Sequence, residues 1–184
     1  MALKATVYRA ELDVSDLDRG YYASHTLTLA RHPSETEERL MIRLLGFALF
    51  ADEHLEFGRG LSTEDEPDLW LKDATGRIRH WIEVGLPDER RLRRAAGRAD
   101  AVTLIAYPER AFALWRDKNA DQLTRLERLQ ILLLTDASAA ELESLVERNM
   151  KLTCTLQEGQ VWIGDRERTV AIEPRVIQAP VARA

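Results

Sequence analysis

The chain is short of several residue types, and each shortage removes a class of explanation. It has one cysteine, Cys154, so no internal disulfide can form, and that count says little about redox compartment beyond allowing the cytoplasm. Only four lysines occur, Lys4, Lys72, Lys118 and Lys151, and every other basic side chain is arginine. No apolar run approaches 18 residues and Met1 opens no signal-peptide pattern, so the expectation is a cytoplasmic chain with no membrane partner. The four histidines, His25, His32, His54 and His80, share no ligand spacing with Cys154, which argues against zinc. Gly58-Arg59-Gly60 lacks the rest of a dinucleotide fingerprint, and there is no Walker-type loop. A net charge of −5 gives no general attraction to nucleic acid, so such binding would need a local basic patch.

What is present is an alternation of strands and helices. With 184 residues, 45% of them hydrophobic, one buried core and a single domain over 1–184 are expected. Residues 4–14 and 21–31 alternate apolar and polar positions and read as two antiparallel strands joined across Asp16–Gly20. Ser34 and Glu37 read as a capping box opening a helix of about 17 residues with Leu40, Met41, Leu44, Leu45 and Ala48 inward. Asp88 suits an N-cap for the arginine-rich stretch that follows, with Leu92 and Ala95 inward. Residues 101–107 and 129–134 are apolar enough for strands buried on both faces, and strand–helix–strand here predicts a parallel crossover. Helices are expected over about 109–126 and 137–149, then a terminal meander from Lys151, with a frayed tail over about 175–184.

The central stretch is Glu66–Lys72, a turn at Asp73-Ala74-Thr75-Gly76, and Arg77–Gly85. Alternation puts Leu69 and Leu71 on one strand face and Ile78, Ile82 and Val84 on one face of the next strand. The opposite face then carries Asp68, Trp70 and Lys72 beside Arg79, Trp81 and Glu83. Two carboxylates on neighbouring strands are the geometry of a small site for a hard cation such as Mg²⁺ or Mn²⁺. The competing reading makes Asp68 and Glu83 solvated charges paired with Arg79 or Lys72. Likewise Arg90, Arg91 and Arg94 either bind phosphate or form an outer face balanced by Asp88 and Glu89. Trp70 and Trp81 either stack bases or pack beneath a helix.

Pro67-Asp68 followed by Glu83-Val84-Gly85 resembles a decayed PD-(D/E)XK nuclease signature. Arg31-His32-Pro33-Ser34-Glu35-Thr36-Glu37-Glu38-Arg39 and Trp81–Arg91 resemble the bacterial YaeQ family, over nearly the whole chain. The resemblance implies an α/β, restriction-endonuclease-like mixed sheet flanked by helices, with additional antiparallel N- and C-terminal strands. It further implies Asp68 and Glu83 as metal ligands, a backbone carbonyl near Val84 as a third, and Glu38 as an extra catalytic acid. Where the superfamily expects lysine this chain has Gly85, which leaves Lys72, Arg91 or Arg94 to replace that cation. Lys72 lies four residues along from Asp68, roughly 13 Å at about 3.3 Å per strand residue. Two functions stay open: a metal-dependent nuclease acting on phosphodiesters, and a non-catalytic module that binds nucleic acid or a protein partner.

Overall fold

In the computed structural model, which describes residues 4–59 and 65–181, the chain builds two mixed sheets separated by helices. The first sheet holds β1 (Thr6–Asp16), β2 (Tyr21–Arg31), β8 (Asn149–Gln157), β9 (Gln160–Gly164) and β10 (Thr169–Ile172), in the order β10-β9-β8-β1-β2. The second holds β3 (Leu55–Phe57), β4 (Leu69–Lys72), β5 (Ile78–Val84), β6 (Ala99–Ala106), β7 (Leu129–Leu133) and β11 (Arg175–Gln178), in the order β11-β7-β6-β5-β4-β3. Four helices join them: α1 (Glu37–Leu49), α2 (Glu89–Arg98), α3 (Glu109–Leu123) and α4 (Asp136–Glu143). No helix among the described residues is long and apolar enough to cross a membrane.

The layers follow from which faces are apolar. In β1, Tyr8, Ala10, Leu12 and Val14 are buried while Val7, Arg9, Glu11 and Asp13 are exposed, so one face of the first sheet is closed and the other open. The closed face packs with α1 and α4 on Leu69, Ile82, Val84 and Ile105 of the second sheet. The far face of that sheet, with Trp81, Val102, Leu104, Leu129 and Ile131, is covered by Leu92 of α2 and Phe112 and Leu123 of α3. The order is therefore sheet, helices, sheet, helices. Strands β5, β6 and β7 run parallel, and α2 and α3 are the crossovers between them.

Several expectations change here. The N-terminal strands and the meander do not extend the central sheet. They form a sheet of their own, closed by a parallel pairing of β1 with β8. Residues Arg175–Gln178, expected as a loose end, pair antiparallel with β7 as β11, while 182–184 of that tail lie outside the described residues. Helix α1 spans 13 residues, and its N-cap is Thr36, whose side chain accepts from the Arg39 amide. Ser34 instead meets His32 Nδ1, and Glu37 accepts from the Tyr8 hydroxyl at 2.6 Å. The α4 helix stops at Glu143, well short of 149, because Asn149 already starts β8. Ile78 turns to the opposite face from Ile82, since the ladder passes from Leu71↔His80 to Lys72↔Ile78 and leaves Arg79 as a bulge.

Candidate functional site

The site stands at the end of β5 where β4 begins. Leu69 pairs with Ile82, so one further step along the antiparallel ladder sets Asp68 across from Glu83. A second step would set Pro67 across from Val84, but proline has no N–H to give the Val84 carbonyl, and the ladder stops at Leu69. The Gly85 amide binds the Ile105 carbonyl of β6, so the neighbouring Val84 amide points the other way, toward β4. Its acceptor is the Asp68 side chain, whose Oδ2 receives the Val84 N–H at 2.8 Å. The Pro-Asp pair thus ends a strand and caps the amide left over.

Arg39, projecting from α1, closes over this corner. Its Nη2 donates to Asp68 Oδ2 at 2.9 Å, lies 2.8 Å from Oδ1, and reaches the Val84 carbonyl at 3.2 Å. Its Nη1 donates to Glu35 Oε1 at 2.9 Å. Glu35 also receives Nε and Nη2 of Arg43, which is buried and spends another N–H on the Ala30 carbonyl. On the other side, Glu83 Oε1 receives Trp81 Nε1 at 2.7 Å and Arg91 Nε at 2.8 Å. Arg91 reaches on to the Glu66 carbonyl at 2.7 Å, while its own amide is held by the capping Asp88. Two paired sets therefore meet at the strand ends, Arg43–Glu35–Arg39–Asp68 from the α1 side and Glu83–Arg91 from the α2 side, with the carboxylates of Asp68 and Glu83 as neighbours where they meet. Buried charges are tolerated only when paired in this way.

The electrostatics follow from this packing. Burial opposes the charge on Arg39, but Asp68 and Glu35 outweigh it and hold its pKa above the ordinary value. Burial and the charge of Asp68 push the Glu83 carboxyl up to about 7, against the pull of Arg91 and the Trp81 N–H. Asp68 and Glu83 are 3% and 2% exposed, so neither is a solvated surface charge, and neither pairs with Arg79 or Lys72.

The other sequence candidates disperse. Lys72 places Nζ 3.3 Å from the centre of the Trp70 ring, at the far end of β4. Arg79 binds Asp100. Glu38 sits among Glu143, Asp136 and Arg110, and its pKa is raised by burial and then by the two acids. Trp81 is fully buried and meets Trp70 edge to face at 6.2 Å, so it packs rather than stacks on a ligand. Arg94 binds Asp65 at 2.9 Å, and Arg90, Arg91, Arg94 and Asp88 line a recess of about 250 Å³ at the start of α2. Sequence reading did not single out Glu35, Arg39 and Arg43 as site residues. Their i, i+4, i+8 spacing was the available signal, with Arg43 falling on the buried side of α1.

A divalent cation would use the Asp68 carboxylate, the Glu83 carboxylate and the Val84 carbonyl. As arranged, the first and third are taken by Arg39 and one oxygen of the second by Arg91 and Trp81. Among the described residues, no group of three or more His, Cys, Asp or Glu side chains is placed to hold a metal ion. As placed, the donor set fits two guanidiniums and not a metal.

Gly58 sets the entry to this corner. Its amide donates to the Asp68 carbonyl, and an added Cβ would lie 1.9 Å from the Pro67 carbonyl oxygen. Gly58→Ala must therefore displace Pro67 and Asp68. A loss on the order of 1–3 kcal/mol in urea unfolding is expected, and an unchanged midpoint would sink that account.

Comparison with known proteins adds a consistent result. The family model described as YaeQ protein matches residues 1–174. The YaeQ protein of Salmonella typhi is 44% identical over 180 residues, covering 98% of this chain and 99% of the relative. That of Escherichia coli K12 is 42% identical over 180 residues with the same coverage. The crystal structure of YaeQ from Xanthomonas axonopodis pv. citri superposes with a TM-score of 0.91 at 49% identity, over 96% of this chain and 99% of that one. The Pseudomonas syringae structure gives 0.90 at 38%, over 95% and 97%.

Proposed function

The chain belongs to the YaeQ family, and from the pairing of Asp68 and Glu83 with Arg39 and Arg91 we propose a non-catalytic nuclease-like module that binds nucleic acid through its phosphates. The restriction-endonuclease-like part of this reading is supported by position. Pro67-Asp68 and Glu83-Val84 lie on adjoining antiparallel strands, flanked by helices that supply the charges around them. The loss of catalysis is supported by what stands there now. Two arginines neutralise the acid pair, and Gly85, at φ +112°, brings no lysine to a developing phosphorane. Phosphate binding is supported by the recess at the start of α2, where Arg90 is exposed beside Arg91 and Arg94. With a net charge of −5, contact is confined to that patch.

Fluorescence anisotropy with labelled oligonucleotides, read as a function of salt, tests the binding half. Arg90→Gln should weaken binding about equally for all sequences and lower the salt slope by about 1. Oligonucleotides that fail to bind at low salt overturn it and leave a protein partner as the ligand. Calorimetric titration with Mg²⁺ or Mn²⁺ tests the other half, and a flat trace is expected. Saturable Mn²⁺ binding lost in Asp68→Ala, together with cleavage of nucleic acid, would restore the metal-dependent nuclease with Asp68 and Glu83 as ligands.

A further inference from the structure

The outer edge of the first sheet is unprotected. β2 pairs with β1 over all of Tyr21–Arg31 without a register shift, and among the described residues no strand lies on its other side. The Arg9 amide binds Arg148 of the neighbouring segment, so Thr28, opposite Arg9, directs its own N–H and C=O away from β1. Tyr22, Ser24 and Thr26 share that parity. At Ala30 the outward carbonyl is taken by Arg43. From Tyr22 to Thr28, among the described residues, no hydrogen bond reaches the outward backbone groups, and all four of these side chains are exposed.

Edge strands are ordinarily blunted by charge, proline, a bulge or a covering element. This one has none of these between Tyr22 and Thr28. Gly20–Ala30 is eleven residues without Asp, Glu, Lys or Arg, the longest such run in a chain that is 31% charged. We infer that β2 is the site of self-association, pairing antiparallel with β2 of a second copy across a two-fold axis at His25. In that register Tyr22 faces Thr28 of the other copy and Ser24 faces Thr26, so every facing residue is one whose backbone groups point outward. The pairing makes about eight backbone hydrogen bonds, two for each of four facing pairs. The occupant is a second copy because the strand matches itself in this register. The charge-free run also lets two chains of net charge −5 meet without like charges in apposition.

Sedimentation velocity on the full chain should give twice the 21.0 kDa chain mass, falling to the single-chain mass in Thr26→Pro. That proline removes an N–H which does not bond to β1, so the far-ultraviolet spectrum and thermal midpoint should hold. Amide exchange of Ser24 and Thr26 in the wild type should slow as the protein is concentrated. This second readout decides the matter even if Thr26→Pro fails to fold. Single-chain mass at every concentration, or a dimer whose Ser24 and Thr26 exchange is independent of concentration, would overturn the inference.

Discussion

Asp68→Ala will cost about 3–5 kcal/mol of folding stability, the range for breaking a buried ion pair by removing one partner. The reason is what the substitution strands. Arg39, only 14% exposed at its side chain, would be left sharing Glu35 with Arg43, two cations on one carboxylate. The Val84 amide would lose its acceptor, Asp68 Oδ2. An unsatisfied buried donor alone costs about 1–3 kcal/mol. Replacing both partners, as in Asp68→Leu with Arg39→Met, should recover the ion-pair share of the loss but not that of the Val84 amide, because well-packed apolar groups can replace a buried ion pair without penalty. Urea unfolding with an unchanged m value is the measurement. The sign is informative. A site where two acids wait for a metal is relieved by losing one of them, so a raised midpoint in Asp68→Ala would show that repulsion with Glu83 dominates and the arginines do not neutralise it.

The parts of this arrangement that sequence made visible are the local ones. Period-two alternation found β1, β2 and the β4–β5 hairpin, and Pro87-Asp88 marked the start of α2, where Asp88 does hold the Arg91 amide. Asp68 and Glu83 were read onto one face because alternation along the two strands puts both opposite the apolar positions. Non-local partners were not legible. Arg39 looks like any charge on a helix edge until α1 is laid over the second sheet. The bulge at Arg79 leaves no mark in composition yet turns Ile78 to the other face, which breaks a strict alternation argument. The parallel pairing of β1 with β8 joins Arg9 to Asn149, a closure that no local pattern encodes. Arginines at 35-plus-four and 35-plus-eight spacing from a glutamate were the trace of the charge chain, and only burial converts that trace into a site.

A buried carboxyl and a half-buried imidazole should hide one another in the pH dependence of stability, and single substitutions should expose both. The Glu83 carboxyl is raised from 4.5 to about 7, first by burial and then by Asp68. Between those values the unfolded chain has released this proton and the native chain has not, so stability falls as pH rises. The contribution is full below 4.5 and gone above 7. His80 is the reverse case: burial lowers it from 6.5 to about 4. It lies against Phe50, with its Nε2 2.8 Å from the Thr103 hydroxyl, whose proton goes to Gln130. Between those values the unfolded chain binds the extra proton, so this contribution is full above 6.5 and is lost as pH falls through 4. Each displacement corresponds to about 3 kcal/mol at 1.36 kcal/mol per pH unit. Over the shared window, roughly pH 4.5 to 6.5, the slopes have opposite sign and cancel. Glu83→Gln keeps an acceptor for Trp81 and Arg91 but removes the titration, so its stability should climb with pH relative to wild type across that window. His80→Gln should fall relative to wild type over the same range. Urea midpoints at several pH values, taken as variant minus wild type, remove the background from exposed carboxylates. Parallel curves for either variant would mean that the group it replaces titrates in the native protein as it does in the unfolded chain.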